Sequence, residues 1–285
     1  MTTMMARNLA AALLEAAQPF SAQGVSSPRW FVRDQGQGRP LVLLHGLGMS
    51  HAAWTPVIDT LAASRRVLAF DVAGFGLSPR LPDDTQPTLP ALARQLQSEL
   101  AALGIHEPVD VAGNSMGGGI ALAMAQQGMA RSVAAISPAG LWPDDGPWHT
   151  RPFLKGMFLA LGRARPTTEW LLGFAPARSA MLGIPMSIRG HRIPAAMARR
   201  QVRELAQAPG FMPTLNAIGP LEHLASITAP VSVAFGRLDL LLTQRAQRQD
   251  RLPAHARWHR PIGWGHVPMW DDPDGVARWI LDATT

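Results

Sequence analysis

Cysteine and tyrosine are both absent from the 285 residues, and of the 26 Lys and Arg residues only Lys155 is lysine. Without cysteine there can be no disulfide framework, thiolate zinc site, iron–sulfur cluster or cysteine nucleophile. The same absence leaves the compartment open, because Cys-free proteins occur in reducing and oxidising ones alike. Without tyrosine no phenol can serve as acid, base or nucleophile. With almost no lysine as well, little titrates between histidine and arginine, so a high isoelectric point says little about partners. The formal charge is +6, a mild excess for this length. The arginines are spread out, densest at Arg189, Arg192, Arg199, Arg200 and Arg203. No basic stripe is interleaved with aromatics, so a nucleic acid partner is not expected.

Long hydrophobic runs are missing too. No segment approaches 18 uninterrupted apolar residues, so no membrane-spanning helix is expected. The N-terminus has Arg7 ahead of a short apolar run at 9–14, which loosely resembles a signal peptide. Glu15 interrupts that run. Leu9, Leu13, Leu14 and Ala17 fit one helix face instead, so residues 1–28 are expected to be an amphipathic helical segment of a cytoplasmic protein. Hydrophobic residues make up 47% and charged residues 16%, too apolar a chain to remain disordered. The length suits one large domain or one core with an insertion.

Along the chain, residues 30–33, 41–44, 66–70, 109–112, 133–136, 231–235 and 256–260 read as short strands. Residues 54–63, 89–103, 116–127, 243–250 and 274–282 read as helices between or after them. Strands alternating with helices argue for a parallel sheet wrapped in helices. The alternation stops between about 142 and 227, where Pro, Gly, Met and Trp are frequent. Only 153–161 and 194–206 read as helices there, the second with Pro at its tolerated first position. The expected organisation is an α/β core, 29–140 and 228–285, split by a mostly helical insertion at 141–227.

Gly113-Asn114-Ser115-Met116-Gly117 is the only G-x-S-x-G in the chain, and it sits where a strand runs directly into a helix. A sharp turn there presents the Ser115 hydroxyl at the carboxyl end of the sheet, and the glycines permit close packing. The N–H groups of the following helix favour negative charge on a substrate. Serine needs a base, and the base an orienting acid. His266 lies in a loop between the last strand and the last helix, at the same sheet edge. Asp239 follows the strand at 231–235 and precedes His266 by enough chain for one helix and one strand. The order Ser115, Asp239, His266 is that of a nucleophile–acid–base triad in the α/β-hydrolase arrangement. Two backbone N–H groups must face the oxyanion. Met116 supplies one. Leu47, in the His45-Gly46-Leu47-Gly48 loop after the strand at 41–44, is the best candidate for the other.

The remaining histidines carry less. His45 reads as structural. His51, His106, His149, His191 and His223 lack motif context and read as surface or pocket-lining. His255 and His259 have the i,i+4 spacing of a metal pair on a helix, but Pro253 and Pro261 argue against a helix, and no metal site is expected.

At this point the chain resembles the α/β-hydrolase superfamily, in its serine-nucleophile branch with a helical cap. The matching segments are LLHGLGMSHAAW, FDVAGFGLS, VAGNSMGGG, VAFGRLD and GWGHVPMWDDP, in the family's order from about 29 to 285. The resemblance implies a mostly parallel eight-stranded sheet flanked by helices. It also implies that the insertion is the cap and that ester hydrolysis needs no cofactor. It assigns Ser115 as nucleophile, Asp239 as acid, His266 as base, and Leu47 and Met116 as oxyanion donors. Dehalogenase-like and epoxide hydrolase-like members carry aspartate at the elbow, which is Ser115 here. Proline iminopeptidase-like members usually carry Trp beside that serine, where this chain has Asn114 and Met116. The segment GNSMGG resembles hydrolases of carbon–carbon bonds in ring-fission products. Those usually have a longer glycine-rich loop and Trp after the histidine, where this chain has Leu47-Gly48-Met49-Ser50 and Val267.

The insertion carries Trp142, Trp148, Phe153, Met157, Phe158, Trp170, Phe174, Met181, Met186 and Met212. Most are expected to pack the insertion onto the core, and a subset to line an apolar pocket. Its arginines read as a solvated face. The expectation is a serine hydrolase of an ester or thioester with an apolar part, as a monomer or homodimer. The alternatives are a carbon–carbon bond hydrolase of a vinylogous diketone, and a binder or non-hydrolytic catalyst that reuses the fold.

Overall fold

The computed structural model describes residues 30–143, 146, 149–183 and 186–285. The expected helix at 1–28 lies outside them, as does Trp148. Seven strands form one sheet: β1 (Val32–Gln35), β2 (Pro40–Leu44), β3 (Arg66–Phe70), β4 (Val109–Asn114), β5 (Ala130–Ile136), β6 (Val231–Ala234) and β7 (Arg257–His259). Their order is β1-β3-β2-β4-β5-β6-β7. β1 is antiparallel to β3 and every other pairing is parallel. Seven strands rather than eight are therefore found among the described residues. One strand precedes β2, and it begins two residues later than expected. The N–H of Trp30 is held by the Glu99 carboxylate at 3.1 Å, and Phe31 gives its carbonyl to the Asp71 N–H beyond the end of β3.

The central strands are largely buried and mostly apolar because both faces are covered. Side chains alternate: Val42, Leu44, Leu68 and Phe70 join one core, and Leu41, Leu43, Val67 and Ala69 the other. Helices α1 (Ile58–Ala62), α2 (Leu89–Ala102), α3 (Met116–Gln126) and α8 (Pro273–Ala283) cover the sheet. α2 and α3 close the first face with Leu92, Leu96 and Ile120. α1 and α8 close the second with Ile58, Leu61, Val276 and Ile280. Capping fixes the starts. Thr88 Oγ1 accepts from Ala91 N–H, and Asp272 accepts from Gly275 N–H.

Between β5 and β6 the chain leaves the sheet. It forms α4 (Thr150–Leu171), α5 (Ala175–Leu182), α6 (Ala195–Gln207) and α7 (Phe211–Ala217). α4 runs well beyond the expected 153–161. It passes through Pro166 by a kink at Ala164, where φ is −106°. Two expected helices are corrected. Residues 54–63 split into a 3₁₀ turn, His51–Trp54, and the short α1, with Pro56 between them. Residues 243–250 hold only the 3₁₀ turns Gln244–Ala246 and Gln249–Arg251. That stretch buries Ala246 alone among its turn residues and has no apolar stripe to pay for a longer helix.

Candidate active site

The sheet's carboxyl edge gathers the residues picked out above. β4 ends at Asn114, and α3 begins at Met116 with only Ser115 between. Ser115 has φ 53° and ψ −115°, a sparsely populated conformation for a residue with a Cβ. The tertiary structure holds it there. Its N–H donates to the Ile136 carbonyl at 2.9 Å, and its carbonyl accepts from Gly119 and Ala139. The turn is as tight as the motif implies. A Cβ on Gly117 would lie 2.1 Å from the Leu44 carbonyl oxygen, and one on Gly113 would lie 2.2 Å from the Gly117 carbonyl oxygen. Gly117→Ala is therefore expected to destabilise the fold by about 1–3 kcal/mol, seen as a lower thermal midpoint, because the backbone must move to relieve the clash. An unchanged midpoint would show that the elbow tolerates a side chain there.

His266 and Asp239 meet across 27 residues of sequence. His266 Nδ1 lies 2.9 Å from Asp239 Oδ2. The other carboxylate oxygen accepts from the N–H groups of Leu241, at 3.0 Å, and Leu242, at 2.9 Å. Burial pushes the Asp239 carboxyl up. The neighbouring His266 and the Leu242 N–H outweigh that and hold it below its ordinary range. Asp239 is thus an anion at neutral pH, and His266 Nδ1–H is its donor. Both are buried.

Sequence reasoning used Asn114 only to tell family branches apart. In the structure its Nδ2 donates to the His266 carbonyl at 2.8 Å and to the Ile136 carbonyl at 3.3 Å. The side chain beside the elbow serine therefore fastens the histidine loop to β4. Asp271 braces that loop from the other side. It accepts from the Gly265 N–H at 2.8 Å, the Arg189 N–H at 3.1 Å and the Ser187 hydroxyl. Val267 N–H donates to the Met186 carbonyl at 2.7 Å. The histidine loop is thus tied to the segment just after α5.

The loop after β2 lies against the elbow, with Gly117 N–H donating to the His45 carbonyl at 3.1 Å. His45 is structural, as expected. Its Nε2 accepts from Val72 N–H at 2.9 Å, so Nδ1 carries the proton and donates to the Gly46 carbonyl at 2.8 Å. Burial lowers its pKa, consistent with a neutral ring. Neither the Leu47 nor the Met116 N–H is used in a turn or loop hydrogen bond among the described residues.

His51 corrects the sequence reading, which placed it at the surface or in a pocket. It is only 2% exposed, and its Nδ1 lies 2.8 Å from Asp71 Oδ1. Asp71 also accepts from the N–H groups of His51 and Leu77. His106, His191 and His223 are exposed, and His149 is half-buried. β7 contains His259, so His255 and His259 share no helix face.

A cavity of about 300 Å³ opens onto Ser115 and His266. Gly46, Leu47 and Asn114 also border it, and its far wall comes from α4, α5 and α6. Of the large apolar residues singled out in the insertion, Phe153, Met157, Met181 and Met186 line it. Phe158 instead stacks on Phe211 at 4.5 Å, and Trp142 is buried in the core. Trp170 and Phe174 pack edge to face and remain 62% and 52% exposed. No arginine borders the cavity among the described residues. Arg200 pairs with Glu204, and Arg203 with Glu169.

Residues 41–279 match the family described as the alpha/beta hydrolase family. The chain belongs to the alpha/beta hydrolase family. This hydrolase is 30% identical over 226 residues to a pimeloyl-[acyl-carrier protein] methyl ester esterase of Aeromonas salmonicida, covering 77% of this chain and 85% of that one. It is 45% identical over 97 residues to a 2-hydroxymuconate semialdehyde hydrolase of a Pseudomonas strain. That match spans 33% of the hydrolase and 34% of its relative, about a third of each. Among solved structures, an esterase of Thermogutta terrifontis superposes with a TM-score of 0.70 at 20% identity, over 90% of this chain and 94% of the other. That likeness is one of fold. No helix among the described residues is long and apolar enough to cross a membrane.

Proposed function

We propose that this hydrolase cleaves a carboxylic ester or thioester with a substantial apolar part, through an acyl-enzyme on Ser115. The observation that carries the reading is one apolar cavity bordered by Ser115 and by a His266 whose Nδ1 is held by the Asp239 carboxylate. With Nδ1 donating, the Nε2 lone pair is left to take the Ser115 proton. Ser115 attacks the carbonyl, and the oxyanion is received by the N–H groups of Leu47 and Met116. Each such donor contributes about 3–4 kcal/mol to the transition state. Asp239 fixes the tautomer and stabilises the imidazolium. The protonated ring then gives its proton to the departing alcohol or thiol. It next deprotonates a water that hydrolyses the acyl-enzyme. Helices α4–α7 act as the cap, and no cofactor takes part.

A second reading, hydrolysis of a carbon–carbon bond in a vinylogous diketone, is favoured by the GNSMGG segment and by the partial match to the semialdehyde hydrolase. That relative's named substrate is an acid. The cavity here has no Lys or Arg among its described lining residues to meet a carboxylate, which favours the neutral ester. A panel of p-nitrophenyl alkanoates, acyl thioesters and a ring-fission dienol separates the two. The ester reading expects kcat/KM for the best ester or thioester to exceed that for the dienol by at least about 100-fold. The reverse order would replace it with the second reading.

A further inference from the structure

The wall that α4, α5 and α6 give the cavity holds one polar side chain among the described residues, and the proposed mechanism does not use it. Among the described lining residues, Asn114, Ser115 and His266 belong to the sheet edge. The wall from α4, α5 and α6 is apolar except at Gln201. On α6 the buried positions are Met197, Ala198, Gln201, Val202 and Leu205, a single helical stripe in which 201 is a place for an aliphatic residue. Gln201 is 6% exposed, and neither its Oε1 nor its Nε2 has a hydrogen-bond partner in the protein. A buried amide that meets no protein partner is unfavourable unless a molecule in the cavity meets it. Packing alone would be served better by leucine or methionine.

We propose that Gln201 reads a neutral hydrogen-bonding group on the substrate. The favoured ester then carries a hydroxyl or carboxamide along its otherwise apolar portion. The inference rests on the reading of this cavity as the substrate site. The chemistry of the amide selects the group. A carboxylate could accept from Nε2 but would leave Oε1 facing negative charge. A cation could meet only Oε1. A hydroxyl or a carboxamide both donates and accepts, and so satisfies both ends of Gln201. The absence of Arg and Lys from the described lining fits a neutral ligand.

The test compares p-nitrophenyl alkanoates of four to ten carbons with matched ω-hydroxy and ω-carbamoyl esters. The wild type, Gln201→Leu and Gln201→Met are assayed alike, with thermal melts confirming that each is folded. At one chain length the wild type is expected to prefer the polar ester in kcat/KM by about tenfold, and both variants to lose that ratio. A ratio that is the same in all three, or no polar preference at any length, would overturn the proposal. Should the wild type cleave no ester at all, the acyl-enzyme reading fails separately. Affinities for the corresponding methyl ketones and ω-hydroxy methyl ketones, from tryptophan fluorescence, then decide. Gln201 variants must lose preference for the hydroxy ketone, and an unchanged preference would refute the role of Gln201.

Discussion

Asp239→Asn is expected to lower kcat about 10⁴-fold while leaving the protein folded. The reason lies in which atoms the carboxylate serves. One oxygen takes the N–H groups of Leu241 and Leu242, and the other takes His266 Nδ1–H. An asparagine keeps its carbonyl on the two backbone donors. Its amide N–H₂ then faces Nδ1, and the ring answers by moving its own proton to Nε2. In that tautomer Nε2 can no longer accept the proton of Ser115. The imidazolium also loses its counter-charge. Packing barely changes, since the two side chains have nearly the same shape. Turnover of the best ester, measured beside a thermal melt, checks this. A variant that keeps more than a tenth of wild-type kcat would mean that another acid orients His266.

Asp110→Ala is expected to cost about 3–5 kcal/mol of stability, with a thermal midpoint lower by about 10 °C, and to leave turnover at permissive temperature within a few-fold. Asp110 sits at the opposite edge of the sheet from the site, near the start of β4, and is fully buried. Arg39 at 2.9 Å, Arg131 at 2.8 Å and Arg65 converge on it, and Ser132 donates to it at 2.7 Å. Removing the carboxylate leaves three cations with no counter-charge, and Arg65 is itself nearly buried. Burial pushes the Asp110 carboxyl up. Hydrogen bonds from Arg131 and Ser132 and the charges of Arg65 and Arg131 pull it further down, so it lies below its ordinary range. A depressed carboxyl binds protons less readily folded than unfolded. Its contribution is therefore whole above the unfolded value, about pH 4, and is lost as pH falls through and below it. Wild type should show that acid loss in chemical denaturation, and Asp110→Ala should lack this part of it. Equal pH dependence in the two proteins would refute the assignment.

These two aspartates show what could be read from the chain and what could not. The place of Asp239 at the sheet's carboxyl edge was legible because strand ends, Gly-containing loops and chain order are local signals that one sheet edge then assembles. The place of Ser115 was legible for the same reason, and so was the mostly parallel sheet, whose central strands are mostly apolar. The pairing of Asp110 with Arg39, Arg65 and Arg131 was not, because it depends on which strands are neighbours. His51 was misplaced for a related reason. Its partner Asp71 stands after a different strand, and only the β2–β3 pairing brings them together. Asn114 and the His266 carbonyl are 152 residues apart. No period or motif announces such a contact. Gln201 had a signal that could have found it, a lone amide in the apolar stripe of α6. The expected helix at 243–250 failed where local composition was followed without a buried face to hold it.

Ser115 as nucleophile is the claim on which the rest depends, and covalent labelling tests it most directly. The protein is treated with an alkyl fluorophosphonate, and the adduct is located by mass spectrometry of the intact chain and of its peptides. One adduct is expected, on Ser115, formed much more slowly in His266→Ala and absent from Ser115→Ala. No adduct on the folded wild type, or labelling undiminished in Ser115→Ala, would contradict the assignment of Ser115.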